Sequence, residues 1–115
     1  MELLNPMIIV PLSVGCIFIM MGLITLKFPP KKINHLYGYR TKSSMKNQER
    51  WDFAQSYSAK EMIKWGGLYG LTALIGFLPL FKGVILSTIV ALSTLILLVV
   101  ILFNRTEKAI AQKFS

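Results

Sequence analysis

The chain has 115 residues, room for one domain at most. It is 54% hydrophobic and 16% charged, with the apolar residues in long blocks, which excludes a soluble domain that spreads charge along every element. The net charge of +8 does not imply a nucleic-acid partner: nine of the thirteen Lys and Arg lie between Lys27 and Lys64 and three more follow Phe103, the uneven placement that orients a membrane protein.

Asn5-Pro6 reads as a helix start, with Asn as cap and Pro at the first helical position. From Pro6 to Lys27 the chain is apolar, about 33 Å of helix and enough to cross a bilayer core of about 30 Å. Glu2 at the start, no small-x-small site after the run and Lys27, Lys31 and Lys32 at its end predict a retained span rather than a cleaved signal. Pro11 predicts a bend near residues 7–11. Gly15 and Gly22 share a face that predicts contact with another helix. Cys16, the single cysteine, reads as a small packing residue.

Residues 31–57 form the only long polar segment. Gly38 stands between Tyr37 and Tyr39, where a turn or a close backbone approach uses the missing side chain. From about Met45 the spacing turns helical, with Trp51, Ala54 and Ser58 on one face, predicting a short amphipathic helix on the membrane surface. Trp51, Phe53 and Tyr57 suit the headgroup layer.

Ser58-Ala59-Lys60-Glu61 has the form of a capping box ahead of a second apolar run, Met62 to Phe81. A single unbroken helix from Met45 to Phe81 is the alternative. Gly66, Gly70 and Ala73 make a close-packing stripe. Lys82-Gly83 leaves a short hairpin before a third run, Val84 to Phe103, whose Ser87 and Thr94 are expected to bond their own helix carbonyls. Together these readings predict an all-α integral membrane protein, one domain over 1–115. Its spans lie at about 6–27, 62–81 and 84–103, with an interfacial helix inside a cytoplasmic segment, 28–61. Positive-inside places the N-terminus and hairpin outside and the C-terminus in the cytoplasm.

No predicted span contains Asp, Glu or His, which argues against an ion-coupled pump. His35 is the only histidine and has no second soft ligand, so no metal site or cofactor is expected. No nucleophile sits in a recognisable motif, so no catalytic residue is assigned. Arg40, between Tyr39 and Thr41, has a planar fork that suits a carboxylate, a phosphate or several carbonyls. Binding a ligand and bonding the loop's own carbonyls both stay open. The lysines around it attract anionic lipid headgroups at the cytoplasmic face.

The pattern Asn34-x-x-Tyr37-Gly38-Tyr39-Arg40-Thr41, followed by Ser44, Asn47, Trp51 and Ala54, resembles the SdpI-type (SdpI/YfhL) immunity protein family in its short three-span form. The resemblance covers roughly Pro11 to Arg105. It implies a bacterial cell-membrane protein that protects the producing cell against a sporulation-delaying peptide toxin, by binding rather than by chemistry. It also implies that Asn34, Tyr37, Gly38, Arg40, Thr41, Asn47 and Trp51 form the family's characteristic cytoplasmic segment. Long members have extra spans, and some capture a transcriptional repressor; this chain lacks those spans, so toxin immunity is the expected role. The alternative is a lipid-headgroup-binding or accessory membrane protein that captures a cytoplasmic partner. A peptide toxin and a second copy of the chain remain open as partners.

Overall fold

A computed structural model describes residues 5–114, so the outward N-terminal stretch expected at Met1–Leu4 lies outside the described residues. Three α-helices and two short 3₁₀ turns account for the regular structure, with no strand among the described residues. Helix α1 spans Pro6–Lys27, α2 Gln48–Leu71 and α3 Val84–Lys113.

Helix α1 begins where its sequence asks it to. The Asn5 side chain accepts from the Met7 N–H at 2.8 Å and Pro6 needs no partner for its nitrogen. Pro11 lies inside the helix without interrupting it. Pro29 and Pro30 then keep the chain from continuing as helix.

The break expected at Ser58 is absent: α2 runs from Gln48 through it to Leu71. The capping box fails because both of its side chains are engaged elsewhere. Ser58 Oγ donates to the Gln55 carbonyl at 3.3 Å, and the Glu61 carboxylate accepts from Arg105 Nε and Nη2, each at 3.1 Å. Asn47 caps instead, accepting from the Arg50 N–H at 2.8 Å. The helix expected alone at the interface is therefore the first half of α2. Trp51, assigned to the headgroup layer, is fully buried.

The far end of α2 also differs from the regular helix expected to Phe81. At Leu71 the coil tightens into a 3₁₀ segment, Thr72–Phe77, followed by a second, Pro79–Phe81. Thr72 Oγ1 donates to the Tyr69 carbonyl at 2.6 Å. Leu78, just before Pro79, is forced out of the helical region, with ψ at 144°.

The 30 residues of α3, about 45 Å of helix, run nearly the length of a molecule whose longest dimension is 49 Å. The tail beyond Phe103 is the same helix. Thr88 and Thr94 bond their own helix carbonyls, whereas Ser87 Oγ donates to Phe81 and ties the helix start to the preceding turn. By length and hydropathy α1 and α3 are each able to cross a membrane. Helix α2 carries Lys60, Glu61 and Lys64 near its middle.

The helices pack antiparallel in sequence order. Along α1, Gly15 meets Gly66 and Gly70, and Gly22 meets Ala59 and Ile63. Along α3, Ala91 accepts from the Tyr69 hydroxyl at 3.0 Å, Arg105 pairs with Glu61, and Phe114 lies edge-on to Phe53 at 5.8 Å. Helices α1 and α3 therefore run in the same direction. The α1–α2 contact is backbone against backbone: a Cβ built on Gly15 would stand 2.6 Å from the Gly66 carbonyl oxygen, and one on Gly66 2.8 Å from Phe18 Cβ. Gly22 is as tight, 2.6 Å from the Ala59 carbonyl. Gly70 is looser, with nothing nearer than 3.9 Å, and Ala73 is buried on the same helix line. Gly15→Ala and Gly66→Ala should each lower the resistance to unfolding in detergent by about 1–3 kcal/mol, the usual cost of overpacking. Gly70→Ala should be nearly neutral. Equal losses at all three positions would contradict this packing.

Candidate functional site

The chain from Phe28 to Asn47 has no helix or strand, so its backbone polar groups need other partners. Asn34 starts the supply: its side-chain oxygen accepts from the N–H groups of Leu36 and Tyr37 at 2.9 and 2.7 Å, an Asx turn. The Tyr37 hydroxyl donates to the Phe28 carbonyl at 2.7 Å. Gly38 follows at φ 103°, the only positive φ among the described residues. A side chain there would also collide, because its Cβ would lie 2.5 Å from Gln55 Oε1 and 2.7 Å from Pro30 Cγ.

That close approach lets Gln55 hold the loop. Its Oε1 accepts from the Tyr39 N–H at 2.6 Å while its Nε2 donates to the Tyr39 carbonyl at 2.7 Å, so one buried amide serves both backbone groups of a residue. One turn earlier on α2, the Trp51 indole N–H donates to the Pro30 carbonyl at 2.5 Å. Thr41 and Ser44 then cap each other: Ser44 Oγ accepts from the Thr41 N–H at 2.9 Å and Thr41 Oγ1 from the Ser44 N–H at 3.2 Å.

The third anchor is Glu107 of α3. Its carboxylate accepts from the Tyr39 hydroxyl at 2.7 Å and from Thr41 Oγ1 and Ser43 Oγ at 2.9 Å each. Burial, reinforced by the bond and charge of Glu107, pushes the Tyr39 hydroxyl well above its ordinary range. Arg40, between two of these donors, is exposed and gives one N–H to the His35 carbonyl.

Among the seven residues singled out from the sequence, no side chain hydrogen-bonds another's side chain. Asn34, Tyr37 and Gly38 shape the turn, Arg40 reaches outward, Thr41 joins Glu107, Asn47 caps α2, and Trp51 is buried against Pro30. Gln55, Glu107 and the Glu61–Arg105 pair were not singled out. For the two glutamates the signal is scarcity: five acidic residues face thirteen cations, so Glu107 in the basic tail and Glu61 at the foot of an apolar run each need a specific use. Arg105 also stands over the Trp65 ring, 5.6 Å from its centre. No cluster of three or more metal-ligating side chains exists among the described residues.

Two helices able to cross a membrane, around a polar loop pinned to both α2 and α3, define a class of small helical membrane proteins. The chain belongs to the SdpI/YfhL protein family, whose model matches residues 31–104. It is similar to the protein YfhL of Bacillus subtilis (strain 168), at 39% identity over 97 residues, 82% of this chain and 79% of that one. No solved structure matches.

Two measurements test the loop. Gly38→Ala combines a strained φ with a collision and should cost about 1–3 kcal/mol or more. Because the folded Tyr39 pKa is raised, its contribution to stability is fully present below the unfolded value of about 10 and fades as the pH climbs through the folded one. The stability difference between parent and Tyr39→Phe should therefore shrink above about pH 10. A difference independent of pH would separate Tyr39 from Glu107.

Proposed function

We propose that the chain is an immunity-type protein of the bacterial cell membrane, which protects its cell against a membrane-active peptide by binding and without chemistry. The observation that carries this reading is family membership across both the polar loop and the helices after it. The site's chemistry agrees with it: Glu107 is occupied by three hydroxyls and Glu61 by an arginine fork, arrangements that fix a shape. Toxin contact then falls to the outer faces of α1 and α3, where Leu12, Met20, Ile85 and Ile96 are exposed, and to the grooves between helices.

In this reading the chain crosses three times. The second crossing uses residues 62–81, whose mixture of α and 3₁₀ turns has a contour of about 33 Å, because the 3₁₀ coil rises about 2 Å per residue. Lysines 60 and 64 mark its cytoplasmic entry. Residues 28–61 and the end of α3 then face the cytoplasm, and Lys82-Gly83 faces outward. The first half of α2, rather than lying apart, stands on the membrane as a continuation of that crossing.

Expressing the chain in toxin-sensitive bacteria should raise survival at a peptide dose that kills the empty control, and Gly38→Ala at equal membrane level should not protect. Equal killing of parent and control would overturn the reading. Orientation is measured separately in a Cys16→Ala background: Gly83→Cys should react with an impermeant thiol reagent on intact cells and Lys46→Cys should not. The reverse pattern would invert the topology.

A further inference from the structure

A cleft of about 290 Å³ opens between the three helices directly beneath residues 37–40 of the loop. That is near the small end of ligand pockets, which begin at about 300 Å³. Its walls change character along one direction. The deep end is lined by Phe18 of α1 and Val99 of α3. About a turn nearer the loop come Met21, Met62 and Leu102. Thr25, Ser58 and Thr106 lie next, and Tyr37 and Arg40 close the mouth. Since α1 and α3 run toward the loop and α2 away from it, this order in sequence is an order in depth.

Arg40 is the one charged side chain in the lining, and the nearby Glu107 carboxylate is turned to the hydroxyls of Tyr39, Thr41 and Ser43. No acidic side chain lines the cleft. The hydroxyls of Ser58 and Thr106 are turned to the Gln55 and Leu102 carbonyls of their own helices. Arg40 is exposed and has no acidic partner among the described residues, where the one ion pair is Arg105–Glu61. A guanidinium has five N–H donors, and one is used on the His35 carbonyl.

We propose that this cleft binds a phospholipid with an anionic headgroup, one acyl chain lying between α1 and α3 and the headgroup phosphate on Arg40. An apolar slot with a single cation at its polar end complements such an amphiphile in both charge and polarity. A peptide strand fits less well, because its N–H and C=O groups would meet apolar walls at the deep end. The site requires α1 and α3 to sit in lipid but does not depend on the protective role, so the two fail separately.

The test uses the purified chain in a neutral detergent, incubated with phosphatidylglycerol or phosphatidylcholine of identical acyl chains, with bound lipid counted by native mass spectrometry. Both lipids present a phosphate, but the choline cation of phosphatidylcholine cancels its charge and opposes Arg40, so phosphatidylglycerol should be retained about tenfold better. Arg40→Gln should bring phosphatidylglycerol down to the phosphatidylcholine level. Met21→Trp, which narrows the apolar part at a half-exposed position, should lower both. Lys82→Gln, a charge removed at the opposite end, should change neither. Unchanged melting of each variant shows that the fold is intact, and Met21→Trp still reads the cleft if the loop of Arg40→Gln is loosened. Equal retention of the two lipids by the parent, or undiminished phosphatidylglycerol on Arg40→Gln, overturns the proposal. Displacement of the lipid by soluble glycerophosphoglycerol would assign Arg40 to a free phosphate ester without the cleft. Preferential uptake of an apolar helical peptide would assign the cleft to a peptide.

Discussion

A loop of twenty residues without regular structure is stable only if its backbone polar groups find partners, and here that requirement converges on the amide of Gln55. The amide can reach both ends of Tyr39 only because position 38 has no side chain and its φ is positive. Once Tyr39 is held, its hydroxyl is delivered to Glu107, with Thr41 and Ser43 beside it. A single glycine therefore conditions the contact between the first connection and the third helix.

The same economy governs the apolar half of the molecule. Among lipid tails, which are as apolar as the side chains, pushing helices together releases no water and brings no hydrophobic gain, so close van der Waals approach has to supply the contact. Gly15 against Gly66 brings two backbones together, and Gly76, whose added Cβ would lie 2.5 Å from Ile8 Cγ1, does the same near the start of α1. The Tyr69 hydroxyl then supplies a polar link to α3 through the Ala91 carbonyl. Glu61 and Arg105 add a charged one, where burial of Glu61 leaves it dependent on that partner.

Hydropathy and capping made the outer helices legible: α1 starts and ends where Asn5-Pro6 and Lys27 indicated, and α3 starts where the hairpin ends. The middle of the chain was less legible for specific reasons. Ser58 and Glu61 have the spacing of a cap, but a cap forms only if the side chains are free, and the partner that removes Glu61 lies 44 residues away in sequence. The 3₁₀ ending of α2 depends on Thr72, Leu78 and Pro79 acting together, whereas hydropathy sees one apolar run. In the loop, the Gly38 position was readable; the roles of Gln55 and Glu107 were not, because they are single polar residues on helices whose roles are set by a backbone and by hydroxyls distant in sequence.

The placement of Glu107 has a consequence for how the chain is assembled. The three hydroxyls that it gathers precede it by 64 to 68 residues, and between them lie all of α2 and the apolar part of α3. During synthesis, residues 28–47 emerge and wait while both of those helices are made. Gln55 can take hold of Tyr39 early, but the closing carboxylate arrives only with the last helical turns. The segment that carries the family pattern thus reaches its final form only once residue 107 has been made, and a chain cut before it would keep α1 and α2 but leave that segment unlatched.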